Sequence, residues 1–182
     1  AEHSNAYNSD LKGNCQKENI NTCISSIRKL QKQGWKILEK NIKNGISNCV
    51  LNTKILGRWQ ILSSKPLTIC DTAHNEDGMS QLVKQISEIK YNNLHFILGV
   101  VNDKDLQKIL SILPKNAVYY FCKADIERGV DENLLERKCE KFQLFGNCYP
   151  SVTSAFESAK RNAEQEDLIF VGGSTFIVAE II

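Results

Sequence analysis

Three short runs limit this chain more than any other feature. Leu94–Val101, Ala117–Cys122 and Asp167–Val171 are apolar at almost every position, and each is of strand length. A strand half-exposed on a sheet alternates apolar and polar residues; one that is apolar throughout is buried on both faces. Stretches of helical periodicity lie between and around these runs. Helix Glu76–Ile89 precedes the first, a helix to Leu113 follows it, and Asp131–Lys141 and Val152–Ala163 separate the second from the third. Alternating buried strands and helices predict a parallel sheet covered on both faces, and the right-handed crossover rule makes it doubly wound. The expected class is α/β: a Rossmann-like, mostly parallel sheet of five or six strands with helices on both faces.

Shorter segments complete the pattern. Arg58–Ser63 and Leu67–Cys70 read as strands broken by Lys65–Pro66, and Gln143–Phe145 reads as another short strand. Gly172–Gly173–Ser174 opens a last helix or strand to Ile182. Ahead of Gly57 the rhythm is purely helical. Ile20, Cys23, Ile24, Ile27 and Leu30 recur at helical spacing, Lys36 to about Asn48 forms a second helix, and Val50–Ile55 reads as connection. Ala1–Gly13 is polar and mixed, and is expected to be poorly ordered or stranded from a partner surface.

Composition excludes several classes. A net charge of +2 over 23 basic and 21 acidic residues gives no strong pull toward nucleic acid or membrane. No apolar run approaches the roughly 20 residues of a spanning helix. The seven cysteines contain no C-x₂-C pair and no Cys/His cluster at metal spacing, so they read as reduced thiols with no metal site. A cytoplasmic chain is expected.

In open α/β sheets ligands bind at the carboxyl ends of the strands. The strand-end residues here are Asp71–Asn75, Asn102–Asp105, Lys123–Asp125 and Gly172–Ser174. The first group places a carboxylate, an imidazole and an amide on one turn between a buried strand and a helix. It reads either as a functional cluster or as Asp71 capping the helix with His74 and Asn75 solvated in its first turn. Gly172–Gly173–Ser174 reads either as a backbone nest for an anion or as a glycine turn capped by Ser174. Asp103 reads equally as a helix cap. His95 reads as a packed or edge histidine, and Trp35 and Trp59 as packing residues. No phosphate loop of the form G-x-x-x-x-G-K-[ST] is present, so any nucleotide would have its main cradle elsewhere.

Gly57-Arg58-Trp59-Gln60, followed by Pro66 and then Asp71-Thr72-Ala73-His74-Asn75, resembles the signature of folylpolyglutamate and dihydrofolate synthases in the Mur ligase superfamily. Gly99–Asp105 resembles that family's G-x-x-x-D-K-D segment, and Gly173–Ala179 its C-terminal G-S stretch. Gly13–Asn19 resembles a segment near the end of its central ATPase domain.

The resemblance implies that residues 1–56 are the end of that ATPase domain with linker helices, and that 57–182 are the C-terminal ligase domain. It implies ATP and magnesium as cofactors, with the magnesium ligands in an N-terminal ATPase domain that should precede residue 1 and act as partner. The substrates implied are folate or dihydropteroate and L-glutamate, joined through an acyl phosphate. It assigns Arg58, Asp71 and Asn19 to ATP, His74 to catalysis and to orienting glutamate, and Ser174 to a glutamate carboxylate. A 182-residue chain of this kind would be inactive alone. A muramyl-peptide ligase domain and a non-catalytic Rossmann-like binding module are the rival readings.

Overall fold

The computed structural model describes residues 7–101 and 106–182. The chain divides into two compact units, residues 1–58 and 59–182. Asn102–Asp105 and the first six residues lie outside the described set, and with them the cap expected at Asp103.

The second unit holds one six-stranded sheet in the order β1-β2-β6-β3-β4-β5. Its strands are β1 (Gln60–Ser64), β2 (Leu67–Cys70), β3 (Leu94–Leu98), β4 (Val118–Cys122), β5 (Gly146–Tyr149) and β6 (Leu168–Gly172). β1 runs antiparallel to β2 through the Lys65–Pro66 turn, and every other pairing is parallel. The helices of this unit are α4 (Glu76–Ser87), α5 (Leu106–Ile112), α6 (Glu132–Glu140), α7 (Val152–Asn162) and α8 (Thr175–Ala179). The expected doubly wound α/β architecture is the observed one.

Side-chain alternation sorts the strands onto two cores. Ile69, Phe96, Leu98, Tyr119, Phe121 and Phe170 face one way, against Met79 and Leu82 of α4, Ile109 of α5 and Leu135 of α6. Cys70, Ile97, Tyr120, Cys122, Ile169 and Val171 face the other way, against Ala155 and Ala159 of α7 and Ile177 of α8. Both strand faces need apolar residues because both are covered, which is why the sequence shows unbroken runs rather than alternation.

The first unit is helical: α1 (Gln16–Lys32), α2 (Glu39–Ser47) and α3 (Cys49–Thr53) around the small core of Ile24, Ile42 and Ile46. Two expectations change here. Residues 50–55, read as connection, largely belong to α3, whose first amides at Val50 and Leu51 bond to the Asp10 carboxylate at 2.9 and 3.3 Å. That capping partner lies forty residues away in sequence and leaves no local signal. Residues 7–13 are correspondingly fastened rather than stranded: Tyr7 donates to Glu39, and Ser47 donates to the Asn8 carbonyl.

Gln143–Phe145 is not a strand. Gln143 adopts φ +62° beyond the end of α6, and the Leu144 amide turns back to the Cys139 carbonyl, burying its side chain. β5 begins only at Gly146, where a Cβ would collide with the Tyr119 carbonyl. A Cβ at Gly99 would likewise collide with Ile177 and the Cys122 carbonyl, and β3 ends at Leu98, short of the apolar run's end. The last segment is a helix, α8.

Cys70, Cys122 and Cys139 are buried, whereas Cys23 is exposed. Burial pushes the Cys70 and Cys139 thiols up to about 12. Only the thiolate alkylates. In native protein at pH 8, iodoacetamide is expected to modify Cys23 and spare these three over an hour, with peptide mass spectrometry as the readout. Equal modification of all four would show the sheet cores to be open.

Candidate active site at the carboxyl edge

Three strand exits meet at the carboxyl edge because β6 inserts between β2 and β3. The Asp71 amide donates to the Val171 carbonyl at 3.1 Å, extending the β2–β6 ladder by one residue, and the Gly99 amide reaches the Gly172 carbonyl at 3.4 Å. The turns after β2, β6 and β3 therefore lie side by side.

Asp71 organises the first of them. One carboxylate oxygen accepts from the Trp59 amide at 2.7 Å and the other from the Ala73 amide at 2.8 Å. Trp59 has φ +47°, an uncommon conformation for a bulky residue. It is held there by the Asp71 bond and by its buried indole, whose ring centroid lies 6.4 Å from that of Phe170. Asp71 thus clamps the entry to β1 onto the exit of β2. Arg58, immediately before Trp59, ends the first unit with its side chain exposed.

His74 is exposed, and its Nδ1 lies 3.0 Å from the Thr72 carbonyl. A carbonyl only accepts, so Nδ1 carries a proton, and in the neutral ring Nε2 would be the acceptor. The helix cap is neither Asp71 nor His74 but Asn75, whose side-chain oxygen accepts from the Gly78 amide at 2.9 Å. Of the two readings of this cluster, the capping one is therefore misplaced by four residues. Glu76 and Asp77 follow in the first turn of α4, where carboxylates suit the helix dipole.

On the β6 exit, Gly173 has φ +96° and Ser174 caps α8, accepting from the Phe176 amide at 3.2 Å. Ser174 is only 2% exposed. Asn19 lies apart from these turns in sequence and in unit: it is exposed on α1, donates to Gln16 at 3.1 Å, and borders an apolar groove of about 350 Å³ lined by Ile20, Ile27, Ile37 and Ile42. The second unit thus brings Asp71, His74 and Ser174 onto one edge, while Arg58 and Asn19 belong to the first. Among the described residues no three His, Cys, Asp or Glu side chains converge as a metal site.

Sequence reasoning missed two features. At the opposite, amino-terminal end of the sheet, Asp167 and His95 form a buried pair at 3.2 Å. Tyr120 and Asn162 extend it, with contacts of 2.9 Å from the Tyr120 hydroxyl to His95 Nδ1 and 3.1 Å from Asn162 to that hydroxyl. The only signal was two polar residues opening apolar runs. The second feature is Arg128, whose guanidinium carbon lies 4.7 Å from the centroid of the Phe176 ring; it follows the exit of β4 and had only its position after a buried strand to mark it.

Fold and edge together define a doubly wound α/β domain in which the exits of β2, β6 and β3 gather at the carboxyl edge. A family model described as "Mur ligase, glutamate ligase domain" matches residues 57–175, and the chain belongs to that family. Among curated relatives, the "Probable bifunctional folylpolyglutamate synthase/dihydropteroate synthase" of Haloferax volcanii is 34% identical over 127 residues, covering 68% of this chain and 15% of the relative. The "Dihydrofolate synthase/folylpolyglutamate synthase" of Escherichia coli K12 is 30% identical over 162 residues, covering 87% of this chain and 36% of the relative. The solved structure of E. coli FolC in complex with ADP, without folate substrate, superposes with a TM-score of 0.76 at 28% identity, over 90% of this chain and 38% of that one. The Mycobacterium tuberculosis folylpolyglutamate synthase complexed with ADP shares the fold, with a TM-score of 0.78 at 21% identity over 94% of this chain and 40% of that one. The chain therefore spans a little over a third of the E. coli relative and much less of the archaeal one.

Proposed function

We propose that this chain is the glutamate-adding part of an ATP-dependent ligase acting on folate or dihydropteroate. The observation that carries the reading is the family match over residues 57–175, which takes in the Gly57–Gln60 and Asp71–Asn75 turns that Asp71 ties together. The names of the two relatives, and the ADP in the E. coli FolC complex, support the substrate and nucleotide classes.

Each residue has a defined task in this reading. Arg58, whose guanidinium can bond two oxygens in one plane, serves the ATP phosphates. Asp71 lies on the nucleotide side and also holds the Trp59 amide at the entry to β1. His74, with Nδ1 committed to the Thr72 carbonyl, offers Nε2 as acceptor for a proton of the incoming glutamate amine. That amine attacks the acyl phosphate, and phosphate departs as the amide forms. Ser174 stands at the carboxylate end of glutamate; its near-complete burial suits a role in shaping the turn at Gly173–Ser174. Asn19 serves the adenine edge.

Residues 1–56 are assigned to the end of a central ATPase domain. In support, Trp35, Leu38, Leu51 and Leu56 are all more than half exposed, an apolar surface suited to packing against a larger body. In this reading magnesium would be held by the ATPase domain, where it would offset charge on the ATP phosphates. A cytoplasmic location fits seven cysteines that form no disulfide, and no described helix is long and apolar enough to cross a membrane.

The test is ATP-dependent glutamate addition by the full-length protein. Arg58→Ala and His74→Ala are each expected to lower kcat/KM by about 10²- to 10³-fold, the usual scale for a lost charge-stabilising or proton-transfer group. Wild-type rates in both variants would refute the site. The 182-residue chain alone is expected to show no turnover.

A further inference from the structure

We infer that Trp59 is a positioning residue whose left-handed backbone fixes the course of the chain at Arg58; this rests on the ligase reading above and its assignment of Arg58 to the ATP phosphates. The chain is left-handed on both sides of that arginine, at Gly57 with φ +69° and at Trp59 with φ +47°. Glycine meets no penalty in that region, whereas a bulky side chain does. Such an outlier persists only where its surroundings over-determine it, and outliers of this kind gather at sites that need a group held in one place.

Two anchors hold Trp59 there. Its indole is 7% exposed and belongs to the core that Phe96 and Phe170 build on one face of the sheet. Its amide donates to Asp71 at 2.7 Å, and that carboxylate is itself fastened to the Ala73 amide at 2.8 Å. The grip on the amide reaches the preceding residue through covalent geometry. A peptide unit is planar, so the plane that carries the Trp59 N–H also carries the Arg58 carbonyl and Cα. Aiming that N–H at Asp71 therefore fixes the Arg58 Cα relative to the exit of β2. Arg58 is exposed, and no described carboxylate forms an ion pair with it, so its backbone is what holds it. A guanidinium at the end of a long side chain needs such a fixed origin to meet phosphate oxygens in bidentate geometry.

Steady-state kinetics on the full-length protein test this with Trp59→Phe, Trp59→Ala and Trp59→Gly, each made also in an Arg58→Ala background and compared at equal folded fraction. Trp59→Phe keeps a buried ring and is expected to rescue kcat/KM for ATP to within about threefold of wild type. Trp59→Ala is expected to lower it about tenfold, the population cost of a left-handed alanine that no indole holds. Trp59→Gly also lacks the indole but adopts that conformation freely, so it should recover about threefold or more over alanine. A residue that only filled the core would give no such recovery, because glycine fills less space than alanine. In the Arg58→Ala background all three substitutions should change kcat/KM by less than about twofold, since Trp59 acts through that side chain. Additive losses in the double variants, or a glycine variant no better than the alanine one, would overturn the inference. Should the smaller side chains unfold the sheet unit, Trp59→Leu takes their place: a loss confined to the Arg58 background supports the inference, and equal effects in both backgrounds overturn it. Wild-type rates in Arg58→Ala would instead sink the assignment of Arg58. Absence of glutamate addition by the wild-type protein would sink the ligase reading, and this inference with either.

Discussion

Asp167→Ala is expected to destabilise the sheet unit by about 3–5 kcal/mol, because several buried donors lose their acceptor at once and each costs about 1–3 kcal/mol. Asp167 is 2% exposed and accepts four hydrogen bonds, from the Asn93 amide (2.9 Å) and side chain (3.0 Å), the Glu164 amide (2.8 Å) and His95 Nε2 (3.2 Å). Alanine would strand all four donors at the joint between β3, β6 and α7. The network is self-consistent with His95 donating from Nε2 to Asp167 while the Tyr120 hydroxyl donates to Nδ1 and accepts from Asn162. Asp167→Asn keeps the shape but presents an NH₂ toward existing donors, so an intermediate loss of about 1–3 kcal/mol is expected. The measurement is urea unfolding followed by Trp59, which is buried, in a Trp35→Phe background.

The pH dependence carries a definite sign. Burial works to raise the Asp167 pKa, but the Glu164 amide, His95 and both Asn93 groups outweigh it, so the carboxyl titrates below its usual 3.8. A depressed carboxyl stabilises the folded state fully above its unfolded value and loses that contribution as pH falls through the lower folded value. The stability gap between wild type and Asp167→Asn is therefore expected to hold near neutrality and shrink only in acid, below pH 3.8. A gap that shrank on raising pH toward 8 would contradict this assignment.

Gly173→Ala is the second large effect, and it falls on the candidate site. Gly173 has φ +96°, which costs an L-residue about 1–2 kcal/mol. A Cβ there would also stand 2.6 Å from the Gly99 carbonyl and 2.8 Å from a Leu98 methyl, so the β3 and β6 exits must separate, adding about 1–3 kcal/mol. A total loss of roughly 2–5 kcal/mol is expected in the same urea assay. Gly34 makes the comparison: its φ is also +96°, but nothing lies within 4 Å of a Cβ. Gly34→Ala should show the backbone cost alone, about 1–2 kcal/mol, read from the helical signal of the first unit. Equal losses at the two glycines would mean that the strand exits are not in close contact.

Much of the fold was legible because burial on two faces writes itself into consecutive residues. Leu94–Leu98, Val118–Cys122 and Leu168–Gly172 had to be inner strands, and α4, α6 and α7 carried clear helical periodicity. The elements misread were those whose cause lies far along the chain. α3 depends on Asp10 for its cap, and β5 starts where Gly146 meets Tyr119. At the site, the residue types of Asp71–Asn75 announced chemistry, but not the division of labour among them. That Asn75 caps α4 while Asp71 holds the Trp59 amide follows from how the β1–β2 hairpin folds back.

The sequence by itself determined the class of this protein, since apolar runs without alternation admit only a sheet covered on both sides, and its signature turns named the family. The tertiary structure decided which groups meet. Insertion of β6 between β2 and β3 sets the Asp71 and Gly173–Ser174 turns together, and the β4–α6 loop carries Arg128 onto Phe176. It also joins Asp167 to His95 across the sheet. Local patterns report which face a residue buries; strand order and long-range hydrogen bonds report its neighbours, and only the closed fold contains those.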